Sequence, residues 1–193
     1  MKKKNTSPVR RNAAATRLRI LDSARAAFYR APYERVGLRD IAAAAGVDAS
    51  LINRYFGSKK NLFQEALTGA FEFEASLEST EKFARAFVGY VARQKCGGSA
   101  ADPADKLGVI LRSAVSQEAS PIVSGIFHRE FTLYLAGLLP GRDREMRAAM
   151  VGAYLAGFRL LCEALDEPSL NPADSEKIVA LLIKALKPCF EGD

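Results

Sequence analysis

Within residues 37–63, GLRDIAAAAGVDASLINRYFGSKKNLF, the side chains of Arg39, Ser50, Asn53, Arg54, Tyr55 and Lys59 have the types and spacing to do chemistry. The chemistry is noncovalent recognition of a polyanion. Arg54 can donate a bidentate pair to guanine or hold a phosphate, and Asn53 can pair with adenine or bind a phosphate. One turn earlier, Ala49 and Ser50 are small enough to let a helix N-terminus approach base edges closely. Arg39 and Lys59 fall near helix starts, where backbone N–H groups also attract phosphate, so they would position and not specify. Tyr55 can donate its hydroxyl to a phosphate or pack beneath its own helix. Catalysis lacks parts by comparison: there is one histidine, no glycine-rich loop ending in Gly-Lys, no paired cysteines and no nucleophile motif. Cys96, Cys162 and Cys189 lie far apart without CxxC spacing, so neither a structural zinc site nor any other metal or cofactor is expected.

These side chains need a scaffold, and the apolar spacing supplies one. Ile20, Leu21, Ala24 and Phe28 form one face of a first helix that starts near Ala14 and ends before Pro32, which disfavours helix at the residue preceding it. Leu38, Ile41, Ala42 and Ala45 predict a second, short helix stopped by Gly46, and Asp48 is placed to cap a third. In that third helix Leu51, Ile52, Tyr55 and Phe56 share one side, while Ala49, Ser50, Asn53 and Arg54 share the other. One side anchors and the other reads, which is the grammar of a helix-turn-helix. Ser58 caps a fourth helix whose stripe runs through Leu62, Phe63, Ala66, Leu67, Ala70 and Phe71, long enough to join two domains.

Charge divides the chain in the same place. Residues 1–60 hold 14 Lys+Arg against 4 Asp+Glu, and the remainder hold 14 against 18, so the net +6 conceals a basic head on an acidic body. A membrane-surface adaptor would explain the basicity, but not the Gly46 turn or the two-faced helix. No apolar run reaches the roughly 18 residues of a spanning helix, and the basic start MKKKNTSPVRRN leads into an amphipathic stretch, so the expected location is the cytoplasm and no membrane partner is expected. Residues 1–13 are read as a flexible basic arm, 14–60 as the DNA-binding domain and 61–193 as a helical effector-binding and dimerisation domain.

The sequence resembles the tetracycline-repressor (TetR) family. The resemblance rests on Ile20-Leu21, Ala24 and Phe28, and on Asp40-Ile41-Ala42, Ala45-Gly46-Val47, Tyr55-Phe56, Ser58-Lys59 and Leu62-Phe63, covering roughly residues 14 to 65. It implies an all-α subunit of about nine helices, a homodimer on a near-palindromic double-stranded DNA operator, and a small-molecule effector whose binding in the C-terminal domain releases the DNA. Gly37 and Asn53 depart from the family pattern, which usually has Thr or Ser and often Tyr there, both common phosphate contacts.

Beyond residue 78 the periodicity is helical, interrupted by the loop CGGSAADP and by Leu139-Pro140-Gly141. From Asp105 to Phe190 the pattern looks like a C-terminal domain of actinobacterial-type family members. Ser120-Pro121 opens a helix whose apolar side includes Ile122, Ile126, Phe127, Phe131, Tyr134, Leu135 and Leu138; a helix of about 22 residues starts near Asp143, and Asn171-Pro172-Ala173-Asp174 opens the last one. Phe87, Tyr90, Leu111, Phe127, His128, Phe131, Tyr134 and Phe158 could line an effector cavity, with His128 or a tyrosine as polar fixture, although such residues also serve as plain core. Ala149, Gly152, Ala153, Ala156 and Gly157, with Ile178, Leu182, Ala185 and Leu186 of the last helix, would supply half of a four-helix dimer interface or part of the subunit's own core.

Overall fold

The structure, a computed structural model, describes residues 8–69, 80–83, 85–86, 106–163 and 165–191. The expected contributions of Phe87, Tyr90 and residues 1–7 of the arm, together with Ala70, Phe71 and the CGGSAADP loop, lie outside the described residues. The described elements are all helical, in two compact units: Met1–Thr68 with Pro103–Ser124, and Gly69–Asp102 with Gly125–Asp193.

The first unit opens with α1 (Pro8–Arg30), which begins six residues earlier than the periodicity predicts. A proline at the first helical position loses no hydrogen bond, and the alanines at 13–15 favour helix, so the segment taken for arm is helical from Pro8 on. A 3-10 turn, Tyr33–Arg35, follows, and then α2 (Leu38–Ala45), α3 (Ala49–Phe56) and α4 (Lys59–Leu67). Helix α1 packs on both α2 and α4. Between them Ile20, Ala24, Phe28, Ile41, Ile52, Leu62 and Phe63 are buried. The rings of Phe28 and Tyr33 meet Phe63 edge-on at centroid distances of 4.8 and 4.9 Å. Burial of each such large side chain contributes about 1.5–3 kcal/mol, and the edge-to-face geometry adds to it.

Helix α4 is not the long connector that its stripe suggested. Thr68 leaves helical geometry and Gly69 adopts φ 72, a left-handed conformation that L side chains rarely adopt, so the helix stops at Leu67. Two later elements complete this unit: α5 (Lys106–Ser113), which packs on α1, and the turn at 114–119. Val109 and Ile110 of α5 are buried, and Arg112 donates to the Tyr29 carbonyl at 3.2 Å, near the end of α1 where carbonyls lack helical partners. The compact head is therefore larger than residues 14–60.

Helix α6 (Ser120–Ile126) carries the chain across the division and continues as a π-helical turn, Phe127–Thr132, and α7 (Leu133–Leu138). After a break at Leu139-Pro140 come α8 (Arg144–Glu163), a 3-10 turn Pro172–Asp174 and α9 (Ser175–Glu191). In the second unit Phe131, Leu135, Ala148, Val151, Leu155, Ile178, Leu182 and Leu186 are buried, and Phe83 meets Phe190 at 5.4 Å. Arg147 fastens the break: it donates to the carbonyls of Arg142 (2.9 Å), Cys189 (3.1 Å) and Pro140.

Candidate nucleic-acid interface

Each side chain of the recognition surface is placed by a local device. Gly46 takes φ 63, its N–H donates to the Ala43 carbonyl and that of Val47 to the Ala42 carbonyl, so α2 ends in a Schellman motif that turns the chain sharply. Asp48 then caps α3, accepting from the Ser50 N–H at 2.8 Å. Hydrogen bonds from the Ser50 side chain and backbone hold the Asp48 carboxyl below its ordinary range. In α3, Ile52 is 0% and Phe56 6% exposed, which anchors one side. Ser50, Asn53 and Arg54 are exposed on the other, as the two-faced pattern predicts; Ala49 and Tyr55 are half-buried at its edges. Arg39 is exposed on the first turn of α2.

The far end of α3 is held by residues that sequence reasoning did not single out. Asn61 of α4 donates its side-chain amide to the Phe56 carbonyl at 3.0 Å, and its backbone N–H to the Ser58 hydroxyl at 3.1 Å. Arg17 of α1 lies with its guanidinium 4.7 Å from the Phe56 ring centroid and donates to Glu65 at 2.6 Å. No local pattern marks Arg17, because Glu65 is 48 positions away. At Gly37 a Cβ would lie 2.6 Å from the Asp40 carboxylate, so that carboxylate occupies the space a larger side chain would need.

Lys59 is turned inward. Its ammonium sits 4.3 Å from the Tyr33 ring centroid, and burial lowers its pKa while the nearby carboxylates of Glu118 and Glu34 act in the opposite direction. Burial, then the charges of Glu118 and Glu34, and a hydrogen bond to Glu118 raise the Tyr33 phenol. Glu34 is held below the ordinary carboxylate range first by a hydrogen bond with the Ser116 side chain. The Lys59 ammonium therefore has an aromatic partner within its own unit.

The expected effector and dimer residues are partly redistributed. Phe131 is buried and stacks on half-buried Phe127 at 4.8 Å, with Phe158 half-buried, but His128 and Tyr134 are exposed, not polar fixtures of an interior. The π turn accounts for the exposure of Tyr134: its wider winding slides the buried face, which runs through Phe131 and Thr132 of the turn and through Leu135, Ala136 and Leu139 beyond it instead of Tyr134 and Leu138. Leu111 is half-buried on α5, in the first unit. Among the interface candidates, Ala149, Ala153 and Gly157 are exposed and Ala156 and Ala185 half-buried. Gly152, Ile178, Leu182 and Leu186 are buried within the single subunit, so they have little surface to give a partner. A Cβ on Gly152 would lie 2.6 Å from the Phe127 ring. Of the thiols, Cys162 is buried and Cys189 half-buried, and among the described residues no three His, Cys, Asp or Glu side chains cluster to hold a metal ion.

Comparison with known proteins bears on this geometry. Residues 20–66 match the model of the bacterial regulatory proteins, tetR family, and residues 81–189 match that of the tetracyclin repressor-like C-terminal domain. Among solved structures the chain is similar to NalD, the secondary repressor of the MexAB-OprM multidrug efflux pump in Pseudomonas aeruginosa, at 20% identity and a TM-score of 0.61, covering 90% of this chain and 96% of that one. A TetR transcriptional regulator from Rhodococcus sp. RHA1 aligns at 18% identity and a TM-score of 0.59, covering 92% and 97%. A TetR-family regulator from Streptomyces coelicolor aligns at 24% and 0.50, covering 98% and 99%. At these identities the likeness is one of fold. No curated protein matches the chain.

Proposed function

The chain belongs to the tetR family of bacterial transcriptional regulators, and from that premise we propose that it is a homodimeric repressor that reads a palindromic operator through α3 and leaves it when a small molecule binds the helical body. The observation that carries the reading is the division of α3, with Ile52 and Phe56 sunk in the core and Ser50, Asn53 and Arg54 presented outward. Asn53 and Arg54 are the base-edge or phosphate donors; Ser50 and Ala49 permit close approach; Arg39 and Tyr55 contact the backbone. Its repressor sense is supported by NalD, a repressor of the same fold. Among the described residues no helix is long and apolar enough to cross a membrane.

Two heads need a separation of about 34–36 Å to enter successive major grooves, which a dimer must set. The outer face of α8 suits that purpose. Met146, Met150, Tyr154, Leu160 and Leu161 are exposed there, interleaved at helical spacing with the small Ala149, Ala153 and Gly157, and Leu181 of α9 adds 66% of its surface. Monomeric proteins rarely leave so long an apolar stripe uncovered. This face replaces the inner residues as the proposed interface.

An effector held in the body can release DNA only through its differential affinity for two arrangements of the dimer, and operator must then weaken effector binding by the same factor. Phe127, Phe131 and Phe158 are the proposed apolar contacts. The test is to recover duplexes retained by the purified protein from fragmented genomic DNA. Enrichment of one inverted-repeat motif, lost on Arg54→Ala, supports the assignment; retention without sequence preference, unchanged by Arg54→Ala, refutes it.

A further inference from the structure

We propose that Asn61 is a positioning residue for sequence discrimination: from the first turn of α4 it holds the last turn of α3, which carries Asn53 and Arg54, in the orientation that reads a duplex. The inference rests on the DNA-reading role proposed above and deepens it by naming what that orientation depends on.

The need arises from the helix itself. An eight-residue helix is marginal in isolation, and its last four carbonyls lack partners within it. In α3 those carbonyls belong to Asn53, Arg54, Tyr55 and Phe56, so the turn most prone to fray is the one that bears the reading side chains. Two hydrogen bonds close it. The Gly57 N–H donates to the Asn53 carbonyl at 2.9 Å, with Gly57 at φ 76, and the Asn61 side-chain amide donates to the Phe56 carbonyl at 3.0 Å. The first binds the turn to the bend that follows it; the second ties it to another helix. A Cβ on Gly57 would lie 3.4 Å from the Asn61 amide nitrogen, so this side chain lies against the bend between α3 and α4. Phe56 is thereby held at two points, its carbonyl by Asn61 and its ring by the Arg17 guanidinium at 4.7 Å.

The residue type carries the argument further. Position 61 is the third of α4, three after its cap Ser58, where a carboxylate would complete the Ser-x-x-acid capping pattern and suit the positive end of the helix. That first turn instead holds Lys59 and Lys60 and no acid. An aspartate has the shape of asparagine but only accepts, and it would set an oxygen against the Phe56 carbonyl. Asparagine is thus the weaker choice for α4 and the stronger one for α3.

Asn61→Asp separates those two roles, and Asn61→Ala removes the donor without adding charge. The probes are the duplex that the parent enriches most from fragmented genomic DNA and a scrambled duplex of the same length and composition, each titrated by fluorescence anisotropy. Asn61→Asp should melt no lower than the parent, yet its preference for the enriched duplex over the scrambled one should fall by roughly three- to tenfold, the factor of one net hydrogen bond. Asn61→Ala should lose the same discrimination. The ratio is the decisive readout, because an added charge repels both duplexes alike and a contribution to stability alone leaves the ratio where it was. A parental ratio retained by Asn61→Asp overturns the proposal and leaves the DNA-reading role intact. A parent that binds both duplexes equally overturns that role, and the proposal with it.

Discussion

Arg17 stacks its guanidinium 4.7 Å from the Phe56 ring centroid while binding Glu65 at 2.6 Å, so a single side chain of α1 holds both the last turn of α3 and the last turn of α4. The orientation of the reading surface depends on a residue that does not belong to it. Arg17→Met keeps the apolar stem and removes the charge. The expected result is a loss of about 1 kcal/mol in stability, since an exposed pair and one cation-π contact are each worth that or less. Operator affinity falls with it while its salt slope stays constant, as titrations at several salt concentrations will show.

Arg54 behaves in the opposite way. It is exposed, so Arg54→Ala leaves the melting temperature within experimental error of the parent but costs about 1–3 kcal/mol on the operator, measured by fluorescence anisotropy. Unaltered affinity would remove Arg54 from the reading surface.

Two glycines on α8 distinguish inner from outer face. At Gly152 a Cβ would meet Phe127 Cζ at 2.6 Å and Phe131 Cε1 at 3.0 Å, stacked rings with little room to move, so Gly152→Ala should destabilise the subunit by about 1–3 kcal/mol of overpacking. At Gly157 nothing lies within 4 Å, and Gly157→Ala should stabilise the isolated helix by about 0.5–1 kcal/mol. Chemical denaturation checks both signs.

If the outer face of α8 joins two subunits, Met150→Lys places a charge in an apolar seam. Sedimentation velocity should then show monomer at concentrations where the parent is a dimer, and operator binding should weaken because one head alone reads half a site. A variant that remains dimeric would move the interface elsewhere.

The Asp48 cap predicts a pH dependence with a definite sign. Its hydrogen bonds from Ser50 lower the folded-state pKa below the ordinary aspartate value of 3.8, so its contribution is present above that value and is lost as pH falls through the folded pKa. Asp48→Asn caps nearly as well but does not titrate, so parent and variant should melt alike at neutral pH, and the parent should lose more stability on acidification below about pH 4.

Much of the head was legible without a structure. The limits of α2 and α3, the turn at Gly46, the Asp48 and Ser58 caps and the two faces of α3 all follow from residues within one or two helical turns of each other. Caps and left-handed turns are satisfied locally, and helical periodicity alone assigns the faces of an eight-residue segment.

What tertiary structure decided is which partner each side chain meets. Lys59 has the type and position of a phosphate contact, and the fold sets its ammonium over the Tyr33 ring; Ile178, Leu182 and Leu186 had a pattern suited to a partner subunit or to their own core, and the fold turned them inward. The π turn at Phe127–Thr132 moved Tyr134 and Leu138 to the surface against the simple period. An apolar stripe records that a face must be buried but carries no mark of what will bury it, and contacts across tens of residues become defined only when the packed chain brings them together.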